Sequence, residues 1–186
     1  MKNILLLVLT AFVFLGCTKK LETDVHPYVT LHQNAKQNIT IDFLGVEDKR
    51  TTKIASIMFD KDKIYKEYPL NIDAKIWYTE AFTREFQNTN IVSDKTKLDI
   101  TVQINIKSIS AKYKRYSMDT KNMKANVHVE LVITRDGIIN TSQIEINQTL
   151  YKPMILDAAG FESIINESMR DSVSKTVSIL IKKIKG

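Results

Sequence analysis

From residue 98 to residue 107 apolar and polar side chains alternate without a break. Leu98, Ile100, Val102, Ile104 and Ile106 stand against Asp99, Thr101, Gln103, Asn105 and Lys107. A period of two places all the apolar groups on one face of an extended strand, whereas a helix would scatter them. The phase then changes, and Ile109, Ala111 and Tyr113 carry the apolar side at odd positions. Such a slip would turn the rest of the strand inside out unless an extra residue absorbs it, which predicts a β-bulge near Lys107-Ser108. After a turn near Asp119-Thr120-Lys121-Asn122 the alternation resumes at Met123, Ala125, Val127, Val129, Leu131 and Ile133. Arg135-Asp136-Gly137 then offers the positive φ of a tight hairpin, and a third run extends from Ile138 to about Tyr151. The result is a meander with one apolar face that something must cover.

Two helices are available to cover it. Asn71 reads as the N-cap of a helix from Ile72 to Asn88, with Asp73 near its positive end. Ile72, Ile76, Trp77, Tyr78, Ala81, Phe82 and Phe86 spread over most of its circumference. Asp73, Glu80, Arg84 and Gln87 hold a narrow strip, so this helix is expected to be mostly buried. A second helix starts at Asp157 or Gly160, after Pro153. One apolar stripe runs along it through Phe161, Ile165, Met169, Val173, Val177, Leu180 and Ile184, and Lys182, Lys183 and Lys185 sit at its negative end. Before the first helix, Ile39, Ile41 and Phe43 form a strand running into a turn-rich exit at Gly45–Arg50. Ile54–Phe59 and Ile64–Tyr68 form a short hairpin around Asp60-Lys61-Asp62. The expected fold class is α+β: an antiparallel, or mixed, sheet with two helices packed on one face, in the order β-(ββ)-α-β-β-β-α.

The N-terminus reads MKNILLLVLTAFVFLGC. A basic residue, an apolar run too short to span a bilayer as a permanent helix, and a small residue before Cys17 make a cleaved secretory signal. Phe14-Leu15-Gly16-Cys17 resembles the bacterial lipobox. That resemblance implies a diacylglycerol on the Cys17 thiol and an acylated amine after cleavage. Cys17 is the only cysteine of the chain, so no disulfide can form within it. Thr18, where Asp would favour the inner membrane, implies an outer-membrane lipoprotein facing the periplasm. The polar stretch that follows, with Pro27, reads as a tether. Residues 1–16 are thus expected to be a cleaved signal, 17–37 a lipidated Cys with a flexible tether, and 38–186 a single domain.

The formal net charge is +6, and +5 once residues 1–16 are removed with Lys2, their only charge. A basic balance suggests anionic partners. The compartment excludes nucleic acid and leaves the membrane itself, lipopolysaccharide, peptidoglycan or an envelope protein. Lys112-Tyr113-Lys114-Arg115-Tyr116, with Lys121 and Lys124, is the candidate binding surface; protection of a strand edge by lysine is the competing reading. His26, His32 and His128 show no metal-ligand spacing, and there is no Gly-x-Ser-x-Gly elbow. No cofactor, metal or catalytic constellation is therefore expected. Asp42, Glu47 and Asp48 form the nearest carboxylate cluster, where a glycan-cleaving site competes with turn chemistry in which Asp48 pairs with Arg50.

The lipobox, the first strand leading into Val46-Glu47-Asp48-Lys49-Arg50, the helix from Ala74 to Phe86, the meander with Tyr113 and Lys121-Asn122, and the closing helix from Phe161 together resemble the YajG family of bacterial lipoproteins. Asp48-x-Arg50 is the element closest to a motif. The resemblance implies kinship with periplasmic lipoprotein domains whose two helices cover one face of a sheet, among them subunits of lipid-transport and envelope-assembly machines. It implies no activity. The expected function is a non-catalytic binding or scaffolding component of the cell envelope. The alternatives are a lipid or small-ligand carrier, with its cavity near Trp77, Phe82, Phe86 and Phe161, and a peptidoglycan-directed hydrolase.

Overall fold

A computed structural model describes residues 22–30, 36–60, 63–96, 99–115, 123–150 and 158–186. The described residues form seven strands, β1 (Ile39–Asp48), β2 (Ile54–Asp60), β3 (Lys63–Pro69), β4 (Ile91–Ser93), β5 (Ile100–Arg115), β6 (Met123–Arg135) and β7 (Ile138–Leu150), and two helices, α1 (Ala74–Thr89) and α2 (Ala158–Lys185).

The long alternating strand is the axis of the sheet. β6 pairs antiparallel with β5 from Ile100 to Tyr113, and the bulge falls between Ile106 and Ser108, as the phase slip predicts. β7 follows β6 through a turn in which Asp136 (φ 51°) and Gly137 (φ 75°) both take positive φ. The other edge of β5 is shared. β1 lies parallel along its first half, at Thr101–Ile106, and β2 lies parallel along its second half, at Ala111–Arg115. β1 and β2 therefore run in line, and residues 49–53 step from one to the other beside the bulge. β3 pairs antiparallel with β2, and β4 pairs parallel with β1.

The sheet is thus mixed, the second of the two forms expected, and not purely antiparallel. Alternation identifies a strand but not its neighbours; β1 reaches its place beside β5 only through a crossover containing β2, β3 and α1. The short strand β4 is absent from the expected order, because three residues carry no readable period. β1 also runs on to Asp48, past the turn expected at Gly45. A bulge between Phe43 and Gly45, with Gly45 at φ 112°, returns Val46 to the covered face beside Ile104; only glycine holds that φ without strain.

Both helices cover one face. α2 lies over β5, β6 and β7, α1 lies over β1 and β4, and the helices touch each other. Val102, Ile104, Ile106, Ile109, Val127, Val129, Leu131 and Ile144 meet Phe82, Phe161, Ile165, Met169 and Val173 in the core. The cap of α1 is Asp73, whose carboxylate accepts from the Ile76 amide at 3.1 Å, rather than Asn71. Ile76, assigned to the buried arc, is 60% exposed. α2 buries more than one stripe: Ser168, Ser172 and Thr176 are buried as well. Small hydroxyl residues let the helices approach closely. Ser172 Oγ donates to Met169 O at 2.7 Å, Thr176 Oγ1 to Ser172 O at 2.6 Å, and the Tyr78 hydroxyl meets Ser172 Oγ at 2.8 Å.

Residues 22–30, expected in the tether, are instead docked on the helices. Thr23, Val25 and Tyr28 are buried. The Thr23 amide donates to Pro69 O, and the Asn71 amide donates to Thr23 O. Asn71 Oδ1 accepts from the Val25 amide, so the residue expected as a helix cap holds this strap. Asn166 Nδ2 donates to Asp24 O at 3.0 Å while its Oδ1 accepts from the His26 amide at 2.8 Å. Trp77 Nε1 donates to His26 O, Arg84 to Tyr28 O, and the Tyr28 hydroxyl to the buried Glu85 at 2.7 Å. Asn166→Ala removes both strap bonds of a side chain that is 2% exposed. Orphaned buried groups cost about 1–3 kcal/mol, so the His26 amide is expected to exchange hydrogen roughly tenfold faster or more. Unchanged exchange in the variant would contradict the assigned role of Asn166.

Candidate functional site

Asp48 closes β1 on the helix-covered face, opposite Ile106. Arg50, two residues on, turns back beneath the helices. Its Nε and Nη2 donate to the two carboxylate oxygens at 2.8 Å each, a bidentate fork, and its amide donates to Oδ1 at 3.2 Å. The Arg50 side chain is 4% exposed and that of Asp48 12%. Lys53 adds a third cationic contact from the solvent side. These donors, Arg50 foremost, hold the Asp48 carboxyl well below the usual carboxylate range. The Arg50 charge also reaches Tyr78, whose phenol burial pushes well above its ordinary value. Arg50 Nη1 and Ser168 Oγ are buried without a hydrogen-bond partner among the described residues. Asp48 thus stays ionised at neutral pH and cannot donate a proton. Glu47 points outward, half exposed, toward Lys49 at 3.2 Å. The expected pairing of Asp48 with Arg50 is present; what its two-residue spacing could not reveal is its burial.

The basic string divides. Lys112 is exposed on the face opposite α1 and α2, directly across from exposed Lys124 of β6. Tyr113 packs against the core from the other side. The backbones of Lys114 and Arg115 pair with Phe59 and Asp60 of β2. This part of β5 lies between β2 and β6, so these lysines guard no strand edge, and the edge-protection reading is corrected. Tyr116, Lys121, His32 and Cys17 lie outside the described residues.

The face opposite α1 and α2 carries a polar network that the sequence reading did not assemble, because its members come from three strands. Glu130 accepts from Asn105 Nδ2 at 2.6 Å and Gln143 Nε2 at 2.9 Å, and pairs with Lys107 at 3.2 Å. Those contacts, the Gln143 bond largest, bring its carboxyl down to about 2. His128 meets Gln143 Oε1 at 2.7 Å, and Ser108, Asn126 and Asn147 continue the ladder. A carboxylate so saturated with donors is a structural anion rather than an acid or base. Among the described residues no cluster of three His, Cys, Asp or Glu is placed to hold a metal ion. No described helix is long and apolar enough to cross a membrane.

The space where a carrier cavity was expected is filled by rings. Phe82 and Phe161 are fully buried; Phe161 lies 5.7 Å from Tyr68, and Phe82 lies 6.0 Å from both Tyr78 and Phe86. A cavity of about 400 Å³ opens instead at the sheet edge, between Phe43, Phe86, Asn90, Ile91 and Val92.

No family model matches the chain, and no curated protein matches it. Its fold is similar to the crystal structure of protein XCC0632 from Xanthomonas campestris, which carries the family model DUF330. The TM-score is 0.61 at 11% identity, over 87% of this chain and 96% of that one. The crystal structure of an uncharacterised protein aligns over 88% of this chain and 99% of its own, at 8% identity and a TM-score of 0.47. The first likeness is one of fold alone.

Proposed function

We propose that this chain is a lipid-anchored, non-catalytic protein of the bacterial cell envelope, related to the YajG lipoproteins. It is held in the outer membrane by Cys17, faces the periplasm, and binds or scaffolds an envelope component. The observation that carries this reading is the N-terminal sequence: an apolar run closed by Phe14-Leu15-Gly16-Cys17, with the chain's only cysteine at the acceptor position. A persistently ionised Asp48 speaks against the hydrolase alternative, and the ring-filled core speaks against a carrier cavity near Phe161. In cells, Cys17→Ser should abolish incorporation of labelled palmitate and stop removal of residues 1–16. Acyl chains on one residue are the dominant membrane attachment in this scheme, each buried CH₂ contributing about 0.8 kcal/mol. A Cys17→Ser chain that still incorporates palmitate, or is still cut before residue 17, contradicts the reading. Crosslinking in intact cells identifies the partner; recovery of no specific protein, lipopolysaccharide or peptidoglycan adduct would refute the scaffolding role.

A further inference from the structure

We propose that the groove along α1 and α2 that holds residues 22–30 is a recognition site for extended peptides. Its resident ligand is the chain's own strap, which a partner's segment of the pattern Thr-x-Val-x-x-Tyr replaces. The partner is an envelope protein, a step that rests on the binding role proposed above.

The groove addresses the main chain of the strap. Thr23 is held on both sides: its amide donates to Pro69 O at 2.8 Å, and its carbonyl accepts from the Asn71 amide at 3.0 Å. The Val25 amide donates to Asn71 Oδ1, and Asn166 takes both Asp24 O and the His26 amide. Trp77 Nε1 donates to His26 O at 2.8 Å, and Arg84 Nη1 donates to Tyr28 O at 2.9 Å. Between those two bonds the strap passes about two turns of α1, which requires an extended chain. None of these bonds depends on a strap side chain. Selection falls instead on Thr23, Val25 and Tyr28, which are 0%, 6% and 5% exposed, while Asp24, His26 and Pro27 face solvent. Thr23 Oγ1 meets Ser56 Oγ at 2.8 Å. The Tyr28 hydroxyl donates to Glu85 at 2.7 Å, and its ring stands edge-on to Trp77 with centroids 5.9 Å apart. Main-chain bonds for affinity, with pockets at intervals for specificity, are how grooves read extended peptides.

The strap is also separable from the fold. Among the described residues its one bridge to the sheet pairs Thr23 with Leu70. From Asp24 to Tyr28 its main chain is held by the side chains of Asn71, Trp77, Arg84 and Asn166. Its release breaks no hydrogen bond within a helix or between the strands of the sheet. Release does uncover Trp77 and Glu85, which are 6% and 1% exposed, so an empty groove is costly and a segment of the same pattern relieves it. Attachment to the chain gives the strap an effective concentration of about 1 mM, the level a free competitor must exceed.

Trp77 is the chain's only tryptophan and its indole holds the strap, so its emission reports occupancy. In the full chain, Val25→Asp with Tyr28→Ala should release the strap and move that emission to longer wavelength. A synthetic peptide of residues 22–30 should reverse the shift saturably, at a concentration at least about tenfold below that needed to compete in the unaltered chain. The same peptide with Val25→Asp and Tyr28→Ala should not. Asn166→Ala in the released chain should raise the half-saturating concentration by about tenfold, through loss of two main-chain bonds. Circular dichroism checks that each variant is folded. The unaltered chain gives a second measurement: the peptide with His26→Cys carrying a nitroxide should quench Trp77 at about millimolar concentration. No saturable reversal in a folded released chain, no quenching in the unaltered chain, or an equal response to the altered peptide overturns the inference. These titrations use purified protein, so their failure refutes the groove and leaves the anchor and the binding role standing. Recovery of no protein partner in intact cells refutes the partner, with the peptide affinity of the groove intact.

Discussion

Arg50→Ala is expected to cost about 3–5 kcal/mol of stability at neutral pH, the range for removing one partner of a buried ion pair. The loss exceeds that of a surface pair because both side chains are largely shielded, at 4% and 12% exposure. Without the guanidinium, Asp48 keeps the backbone amide of residue 50 and Lys53, whose side chain is 67% exposed. Acid pH sharpens the prediction. The folded-state value of Asp48 lies well below its unfolded value. Its contribution is therefore complete above the ordinary carboxylate range, near pH 4, and fades as pH falls toward the folded value. The gap between wild type and Arg50→Ala should accordingly narrow between pH 7 and pH 3 in urea unfolding. Asp48→Ala with Arg50→Ala should cost less than the sum of the two single changes, since neither charge is then stranded. A gap below about 1 kcal/mol at pH 7, or one that does not narrow, would show that the pair is not stabilising in this way.

Phe161→Ala is expected to cost a comparable 3–5 kcal/mol or so, from lost transfer energy and the cavity left behind. Phe161 is fully buried at the start of α2 and packs on Tyr68 of β3, which is 1% exposed. In a domain of this size each kcal/mol lowers Tm by about 2–4 °C, so a fall of around 10 °C should appear in a thermal melt. A fall of less than about 4 °C would show that Phe161 is not an anchor of the packed core.

The local features of this fold were legible because their causes are local. The phase slip at Lys107-Ser108 announced a bulge, Asp136-Gly137 announced a turn, and the three-to-four spacing from Phe161 announced α2. Pairing between distant segments was not. Nothing near Ile39 says that β1 runs parallel to β5, and a three-residue β4 has no period to read. Polar residues were misplaced for the same reason. Asn71 looked like a cap because it precedes a helix, but its partners are Thr23 and Val25. Asn166 lies off the apolar stripe of α2, and nothing in its own stretch of sequence shows that it serves Asp24 and His26, 142 and 140 residues away. Arg50 was assigned the correct partner from their spacing; the burial that gives the pair its energy depends on helices that come later in the chain.

The central claim is that Cys17 is a lipidated N-terminus. Intact mass spectrometry of the mature protein, extracted from native membranes, tests it most directly. The account predicts a chain that begins at Cys17 and carries diacylglycerol on the thiol and an acyl group on the amine. A chain that begins at Met1, or a Cys17 with a free thiol, would contradict it.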